Sequence, residues 1–327
     1  MNIGIIGAGS WGTAISKHLS NNGHDIKIWT IEEKVYESFR WNENPYYLPG
    51  IKLPENIKCF MDINKVQKGS DVLVFALPTQ VIRRVIKGIN NRKAIFVNLS
   101  KGIEIESVEQ INKIFYDEFP DCRYCSLSGP SHAEEVSKNI PTGIVAASKD
   151  IEVAKIVQKN FSGNNLRVYT NTDLDGTEIC GALKNIYAIG AGIVDGLGPW
   201  DNTKAALITR SIVEMIRIGE IFGSKKETFM GLAGIGDLIV TCNSKHSRNR
   251  FVGEKIGQGK KLSEILENMN MIAEGIYTLK AIYNLSKRKD VDMPIANAIY
   301  DVLYNEYEPK KAIEELMERS LKEEFNW

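Results

Sequence analysis

Short runs of apolar residues alternate with helical patterns over roughly the first half of the chain. The runs are of strand length and rich in Val and Ile, and amphipathic stretches such as WGTAISKHLSNNG separate several of them. The candidate strands are NIGIIG, DIKIW, DVLVFAL, AIFVNL, RYCSLSG, TGIVAAS and LRVYT. Strands that alternate with helices are typical of βαβ units, so we expect an α/β fold built on a mainly parallel sheet.

The pattern changes after Thr172. Longer segments such as KAALITRSIVEMIRIGEIFG and EGIYTLKAIYNLSKRK place apolar residues at helical spacing, and no convincing strand is found there. A chain of 327 residues is long enough for two ordinary domains. We therefore predict a doubly wound, mainly parallel sheet over residues 1–177, followed by an all-helical domain over residues 178–327.

The formal charge is balanced, with 41 basic and 41 acidic residues. No net field then attracts nucleic acid or an anionic membrane, which favours a small-molecule partner. No apolar run approaches the roughly 20 residues that span a bilayer, and the N-terminus lacks the pattern of a signal peptide. We expect a cytoplasmic protein without membrane insertion.

Five cysteines in a chain of this length do not make a disulfide framework. Cys122 and Cys125 have the spacing of a metal or redox pair, but the sequence has no second such pair and its four histidines are scattered. Ordinary thiols are the favoured interpretation, and no metal site is predicted.

Gly7, Gly9 and Gly12 form a G-x-G-x-x-G pattern directly after the first candidate strand. The pattern also opens the helix through Ala14 and Leu19, which is the context that a dinucleotide-binding turn requires. Glycines let the backbone turn tightly and approach the pyrophosphate, whose charge interacts with amides at the positive end of the helix. The sequence thus predicts a Rossmann-type dinucleotide site, with a purely structural glycine turn as the alternative.

The residues after the second strand usually decide which dinucleotide binds. A carboxylate there accepts a hydrogen bond from the ribose 2′-hydroxyl, whereas an arginine pairs with a 2′-phosphate. Glu32 and Glu33 follow this strand, and Lys34 is the only nearby cation. The two carboxylates favour NAD over NADP, although both residues also suit the first turn of a solvated helix.

Polar residues follow two further strands, at the edge where doubly wound sheets bind their ligands. Lys101 lies between Ser100 and Gly102 after one strand, and Gly129 and Ser131 follow another. Lys101 is either a solvated loop residue or a group that holds a phosphate or a substrate oxygen.

Lys184 is the ionisable residue of the small and apolar helical stretch ICGALKNIYAIGAG. Gly181 and Ala188 share its helix face and leave room for a ligand. An apolar surround disfavours the charged form of a lysine, so such a residue can exchange a proton with an alcohol or carbonyl oxygen at neutral pH. The alternative is a lysine whose side chain reaches the surface at a helix end. His132 and His246 are rival acid–base residues, since histidine performs this chemistry most often.

The stretch GLAGIGDLIVTCNSKHSRNR contains Asp237 and then Ser247, Arg248 and Asn249. The last three supply hydroxyl, guanidinium and amide donors, and arginine can bind a phosphate through two parallel hydrogen bonds. This combination favours an anion site, and a polar turn with serine as a helix cap is the structural alternative.

Eight sequence blocks, in their order and spacing, resemble the bacterial glycerol-3-phosphate dehydrogenases. The blocks are GAGSWGTA, YLPG, SKG, SGPSHAEE, GALKN, NTKAALITR, GLAGIGDLIVTC and HSRN, and they span nearly the whole chain. That family interconverts sn-glycerol 3-phosphate and dihydroxyacetone phosphate with NAD(H) or NADP(H) in the cytosol, for phospholipid synthesis. The resemblance therefore implies a small phosphorylated three-carbon substrate and NAD or NADP as the cofactor, and we expect a homodimer.

The resemblance also implies a role for each matching residue. Lys184 is similar to the proton-transfer residue of the family, and Lys101 is similar to the lysine that contacts both cofactor and substrate. The other positions that match substrate-contacting residues are Gly129, Ser131, Asp237, Ser247, Arg248 and Asn249. The positions that match cofactor-contacting residues are Ser10, Trp11, Ala133, Arg248, Ile272 and Glu274, beside the three glycines of the turn.

Glu32 departs from the family pattern, in which many members carry a basic residue at this position. A carboxylate repels a 2′-phosphate, so we expect a preference for NAD.

Two other functions fit the pattern less well. A dehydrogenase of the same architecture that acts on a hydroxy or keto acid needs fewer cations, and a dinucleotide sensor without catalytic activity does not need the lysine of GALKN.

Overall fold

The computed structural model describes residues 1–269, 273–321 and 323–324, which form two compact units. The first unit comprises Met1–Lys101 and Ile111–Thr177, and the second comprises Gly102–Gln110 and the chain from Glu178 onward. Nothing in the sequence pattern indicates that the short segment Gly102–Gln110 groups with the second unit.

The first unit contains strands and helices in alternation. Its strands are β1 (Asn2–Ile6), β2 (Asp25–Trp29), β3 (Glu43–Asn44), β4 (Leu48–Lys52), β5 (Ile57–Phe60), β6 (Val72–Phe75), β7 (Ile95–Asn98), β8 (Tyr124–Ser128), β9 (Thr142–Ala147) and β10 (Leu166–Asn171). Its helices are α1 (Ser10–Asn21), α2 (Glu33–Ser38), α3 (Ile63–Gln67), α4 (Ile82–Ile86), α5 (Ile111–Glu118), α6 (Ala133–Val136) and α7 (Ile151–Phe161).

Eight of these strands form one sheet in the order β10-β9-β8-β7-β6-β1-β2-β5. Neighbouring strands are parallel throughout, except for the antiparallel pair β8 and β9. The strand order reverses between β1 and β6, and doubly wound sheets bind their ligands at such a switch point. The predicted fold class, a doubly wound and mainly parallel sheet, is confirmed.

All seven strands predicted from the sequence are present, but three further strands were missed. β3 and β4 form a separate antiparallel hairpin within the polar, proline-containing stretch ENPYYLPGIK, which lacks a regular alternation of apolar residues. β5 is a four-residue strand at the edge of the large sheet. Short edge strands carry little of the buried apolar surface that makes a strand recognisable from its sequence.

The second unit is helical, as predicted. Its helices are α8 (Leu174–Leu197), α9 (Asp201–Ile221), α10 (Lys226–Phe229), α11 (Asp237–Asn243), α12 (Arg248–Gly257), α13 (Leu262–Glu267), α14 (Glu274–Lys289), α15 (Pro294–Tyr304) and α16 (Pro309–Met317), with a π-helical turn at Leu232–Gly236. Within the described part of this unit, extended pairing is limited to one isolated bridge between Ile103 and Gln110. None of the described helices is long and apolar enough to cross a lipid bilayer.

Most of helix α8 belongs to the second unit and forms its centre, because every residue from Glu178 to Val194 is buried. Glycines let α12 pack directly on its backbone. A Cβ atom on Gly253 would lie 1.9 Å from the Ile189 carbonyl oxygen, and a Cβ atom on Gly192 would lie 2.0 Å from the Arg250 carbonyl oxygen. Only glycine permits so close an approach, and the register of α8 against α12 is therefore set by backbone contact.

Candidate active site

The glycine turn between β1 and α1 is tightly packed at Gly7 and Gly12 and has open space at Gly9. Gly7 has a φ of +114°, and a Cβ atom there would lie 2.4 Å from the Ala76 carbonyl oxygen. A Cβ atom on Gly12 would lie 2.0 Å from the Gly7 carbonyl oxygen, whereas no described atom lies within 4 Å of the corresponding position on Gly9. Gly7 and Gly12 thus permit the tight turn, and Gly9 leaves space for another molecule over the start of α1.

The start of α1 suits an anion. Gly9 precedes the helix and offers no side chain to cap it, so backbone N–H groups of the first turn lie at the open side of the glycine turn. Ser10 and Trp11 occupy the first turn and are half-buried. This arrangement fits the pyrophosphate of a dinucleotide.

Asn44, which sequence reasoning missed, supports the glycine turn from the β3–β4 hairpin. Its buried Nδ2 donates to the Ala8 carbonyl oxygen at 2.8 Å and to Thr13 Oγ1 at 2.9 Å. The hairpin is also anchored by Leu48, which is buried in a small cluster with Ala14 and Ala133. A polar residue in an irregular stretch gives no periodic signal, so the sequence does not reveal this contact.

The carboxylate of Glu32 is held at the end of β2 by two partners. Tyr47 Oη donates to Glu32 Oε1 at 2.6 Å, and the Lys34 ammonium lies 3.5 Å from Glu32 Oε2. Burial, followed by the hydrogen bond with Glu32, raises the pKa of the Tyr47 phenol to about 12. Tyr47 therefore remains a donor at neutral pH, and Glu32 is an ordered acceptor rather than a freely solvated helix residue.

Three predicted residues of the first unit meet at one carbonyl oxygen. Lys101 Nζ donates to the Gly129 carbonyl oxygen at 3.1 Å, and Ser131 Oγ donates to the same atom at 2.9 Å. Gly129 has a φ of +135°, a conformation that other residues rarely adopt. The loops after β7 and β8 are thereby linked, and Lys101 is attached to the backbone rather than fully solvated.

Lys184 lies near the middle of α8, and the interpretation as a lysine that reaches the surface at a helix end is wrong. The residue is only 6% exposed. Its ammonium donates to Asp237 Oδ1 at 2.5 Å and to Thr241 Oγ1 at 2.9 Å. A buried charge needs such compensation, because an unpaired ammonium is strongly disfavoured in an apolar interior.

Thr241 is a second residue that sequence reasoning missed. It follows Asp237 by four positions, so both side chains lie on the same face of α11. Thr241 Oγ1 also donates to the Asp237 carbonyl oxygen at 2.6 Å, which orients its lone pairs toward Lys184. The i, i+4 spacing was the available signal, but only the position of Lys184 shows its relevance.

A π-helical turn directly precedes Asp237 and sets the start of α11. Gly234 lies within this turn, and a Cβ atom there would lie 2.1 Å from the Phe229 carbonyl oxygen. Turns of this kind are frequent at functional sites. The glycine-rich stretch GLAGIG is thus required for the close packing that positions Asp237.

The start of α12 contains the predicted anion-binding residues. Ser247 is buried and caps the helix, since its side-chain oxygen accepts a hydrogen bond from the Arg250 amide at 3.2 Å. Arg248 is exposed, whereas Asn249 is buried and its Oδ1 accepts from the Gly275 amide at 3.0 Å. The predicted cap is therefore present, and Arg248 and Asn249 follow it in the first turn of the same helix.

This helix start lies close to α8 beside Lys184. A Cβ atom on Gly275 would lie 2.5 Å from the Asn185 carbonyl oxygen and 2.7 Å from Asn249 Oδ1. The first turns of α12 and α14 therefore meet at the residue that follows Lys184. Glu274, a predicted cofactor contact, is the first residue of α14, while Ile272 lies outside the described residues.

The two histidines that rival Lys184 as acid–base residues lie outside helices and strands. His246 is exposed in the turn before α12, and His132 is a half-buried residue that precedes α6.

Cys122 and Cys125 are both free thiols, and burial raises the pKa of Cys122 to about 11, which disfavours the reactive thiolate. Among the described residues, no group of His, Cys, Asp and Glu is arranged to hold a metal ion.

Comparisons with known proteins identify the family of the chain. The family model described as the NAD-dependent glycerol-3-phosphate dehydrogenase N-terminus matches residues 2–154, and the model of the C-terminus of the same family matches residues 173–314. A glycerol-3-phosphate dehydrogenase (NAD(P)+) of Bacillus pumilus is 47% identical over 324 residues, which cover 97% of this chain and 94% of that protein. The protein of the same name from Chlorobium limicola is 43% identical and covers 99% of both chains.

A solved structure shows the same fold. The crystal structure of glycerol-3-phosphate dehydrogenase from Coxiella burnetii superimposes with a TM-score of 0.93 at 34% identity, over 97% of this chain and 98% of that one. Two family models, full-length relatives and a solved structure therefore agree with the blocks recognised in the sequence. The chain belongs to the family of NAD-dependent glycerol-3-phosphate dehydrogenases.

Proposed function

We propose that the protein catalyses the reversible, NAD(P)H-dependent reduction of dihydroxyacetone phosphate to sn-glycerol 3-phosphate in the cytoplasm, for glycerophospholipid synthesis. The observation that carries this proposal is the buried cluster of Lys184, Asp237 and Thr241 beside the start of α12. The names of its full-length relatives support the same reaction.

The first unit supplies the groups for the dinucleotide. Gly7, Gly9 and Gly12 form the cradle for the pyrophosphate, and the first turn of α1 offers amides and the Ser10 and Trp11 side chains. Further contacts are assigned to Lys101 and Ala133 of this unit and to Arg248, Ile272 and Glu274 of the second. When bound, the nicotinamide supplies or accepts the hydride.

The phosphate of the substrate is assigned to the start of α12. Arg248 provides a guanidinium, Asn249 an amide, and the helix N-terminus a positive dipole end, although the Ser247 oxygen already serves as the cap. Lys101, Gly129 and Ser131 are the substrate residues that we assign to the first unit, where they already meet at one carbonyl oxygen.

Lys184 is assigned to proton transfer. In the reductive direction, its ammonium donates a proton to the oxygen that develops negative charge as the carbonyl is reduced. Asp237 and Thr241 accept hydrogen bonds from the ammonium, and they thereby hold Nζ in a defined position. In the opposite direction, the neutral amine accepts the proton of the alcohol.

Glu32 supports a preference for NAD over NADP. Its carboxylate is held at the end of β2, where the ribose 2′-hydroxyl is bound in folds of this kind. A 2′-phosphate would bring two negative charges to a position that already carries Glu32 and Glu33, against the single ammonium of Lys34.

A steady-state assay of the purified protein tests this proposal. Dihydroxyacetone phosphate should support the oxidation of NADH, with a higher kcat/KM for NADH than for NADPH. Unphosphorylated hydroxy and keto acids should be poor substrates, because they lack the phosphate that Arg248 and Asn249 bind. Faster turnover of such an acid would overturn the assignment of the substrate, and a kcat/KM for NADPH at or above that for NADH would overturn the assignment of Glu32.

A further inference from the structure

The YLPG motif lies in the β3–β4 hairpin, and the function proposed above gives it no role. The hairpin is fixed against the first unit at two points. Asn44 is bonded to the backbone of the glycine turn, and Leu48 is buried beside Ala14. Tyr47 lies between these two points, so its hydroxyl is held in a defined position relative to the end of β2.

The Tyr47 hydroxyl is the principal restraint on the Glu32 side chain. Glu32 precedes α2 but its carboxylate makes no capping hydrogen bond, and the side chain is 33% exposed. Within the described residues, its side-chain partners are Tyr47 at 2.6 Å and Lys34 at 3.5 Å. The contact with Tyr47 has hydrogen-bond geometry, whereas the contact with Lys34 is a longer ion pair between exposed groups.

The two partners have opposite consequences for a bound dinucleotide. Tyr47 is a neutral donor, so it holds Glu32 while leaving the negative charge intact. Lys34 carries a positive charge, so a Glu32 side chain that turned fully toward it would form a nearly neutral pair. Such a pair would no longer repel a 2′-phosphate, and its carboxylate would be less available to the ribose 2′-hydroxyl.

We propose that Tyr47 is a positioning residue that holds Glu32 as an acceptor for the ribose 2′-hydroxyl, and that it thereby determines the preference for NAD over NADP. The inference rests on the proposed function, because it assumes that this end of β2 receives the ribose. It extends that function by naming a residue that acts on the choice of dinucleotide through Glu32.

The substitution Tyr47→Phe tests the inference, with Tyr46→Phe as the matched control. Tyr46 is the adjacent tyrosine, is 52% exposed, and does not contact Glu32 through its hydroxyl. Dissociation constants for NADH and NADPH, measured without substrate from nicotinamide fluorescence, give a readout that does not require turnover. The ratio of kcat/KM for the two dinucleotides gives a second readout.

Tyr47→Phe should lower the preference for NADH roughly three- to tenfold in both readouts, the range expected for one hydrogen bond to a charged group that acts through its partner. Tyr46→Phe should leave the preference unchanged. General damage to the fold would weaken the binding of NADH and NADPH to a similar extent. The ratio of the two dissociation constants therefore distinguishes a positioning role of Tyr47 from a purely structural role. An unchanged ratio in Tyr47→Phe overturns the inference.

The same substitution in a Glu32→Gln background tests whether Tyr47 acts through Glu32. There it should cause no further change in the ratio, because the negative charge that Tyr47 holds is already absent. An equal fall in both backgrounds would mean that Tyr47 acts on the dinucleotide directly, which overturns the positioning role. If the unsubstituted protein binds NADH but does not reduce dihydroxyacetone phosphate, the proposed function is contradicted. The inference about Tyr47 is still tested in that case, because the dissociation constants do not require turnover.

Discussion

Individual residues of the candidate site owe their properties to neighbours that are distant in the sequence. Lys184 is surrounded along α8 by apolar residues, yet its charge is compensated by Asp237 and Thr241 from α11. The Ala76 carbonyl oxygen leaves no room for a Cβ atom on Gly7, and the Gly7 carbonyl oxygen leaves none on Gly12. The residue type indicates which chemistry a side chain can perform. The neighbouring residues determine whether the side chain is placed and charged so that it can perform that chemistry.

Gly9 and Gly12 should respond differently to the same substitution. Gly9 has an extended backbone with a φ of −71°, and the described protein leaves open space at its Cβ position, so Gly9→Ala should fold with nearly unchanged stability. We expect its dissociation constant for NADH to rise by about tenfold or more, because the methyl group occupies the approach of the pyrophosphate.

Gly12→Ala provides the comparison, because its Cβ atom would lie 2.0 Å from the Gly7 carbonyl oxygen. Overpacking of this kind typically costs about 1–3 kcal/mol of unfolding free energy. Thermal denaturation and fluorescence titration of both variants separate the two effects. Unchanged NADH binding in a folded Gly9→Ala variant would contradict the placement of the pyrophosphate over Gly9.

The sequence was sufficient to predict the glycine turn but not the residues that support it. The three glycines have a fixed spacing after a recognisable strand, so their role is local. Asn44, Tyr47 and Thr241 act on atoms of other elements, at Ala8, Glu32 and Lys184. Such contacts depend on tertiary structure, so the sequence does not show which element each of these side chains meets.

Helix α15 begins at a buried carboxylate from another helix. Glu214 of α9 accepts hydrogen bonds from the amides of Ile295 and Ala296 at 2.6 and 3.1 Å, and from Tyr187 Oη at 3.1 Å. It takes the place of an N-cap side chain that Met293 does not supply. Tyr187 lies on α8, so this single carboxylate connects three helices of the second unit.

Burial raises the pKa of Glu214 to about 7, although the hydrogen bonds from Ile295 and Ala296 lower it in part. The folded state then binds this proton more tightly than the unfolded state does. Stability from this group is therefore fully present below the ordinary pKa of 4.5 and is lost as the pH rises toward 7. The loss amounts to on the order of 3 kcal/mol across this interval.

Glu214→Gln should remove this pH dependence, because a glutamine cannot ionise. Between pH 5 and pH 8, the unfolding free energy of the parent should fall relative to that of the variant, as measured by urea denaturation at each pH. Glu220→Gln, an exposed substitution on the same helix, should follow the parent. Parallel pH profiles for the parent and Glu214→Gln would show that Glu214 does not titrate in this range.

Elements with a regular apolar pattern were predictable, and the irregular ones were not. The seven strands were recognised from Val- and Ile-rich runs, α9 and α14 from apolar residues at helical spacing, and α8 from its small and apolar composition. The β3–β4 hairpin was missed, although it provides Asn44 and Tyr47. Helix α5 begins only at Ile111, because the residues before it fold back in the bridge between Ile103 and Gln110.

The two units of the molecule carry different parts of the proposed chemistry. The first unit contains the glycine turn, Glu32 and the cluster of Lys101, Gly129 and Ser131. The second contains the buried Lys184 and the start of α12, with Asp237 and Asn249. The sequence changes from alternating strands and helices to helices alone, and each pattern extends over more than a hundred residues.

The assignment of Lys184 to proton transfer is the central claim about the chemistry. General acid catalysis typically contributes about 10²- to 10⁴-fold to the rate, so Lys184→Ala should lose about that factor in kcat with dihydroxyacetone phosphate and NADH. The dissociation constant for NADH should remain close to that of the parent, because Lys184 is not among the residues that we assign to the dinucleotide.

Because Lys184→Ala removes the ammonium that forms an ion pair with the buried Asp237 carboxylate, the double variant Lys184→Met, Asp237→Asn is measured in parallel. Thermal denaturation establishes that each variant is folded before its kcat is compared with that of the parent. A loss of about 10²-fold or more in kcat, with NADH binding retained, is the result that we predict. A folded Lys184 variant that keeps its kcat within a few-fold of the parent would contradict the proposed mechanism.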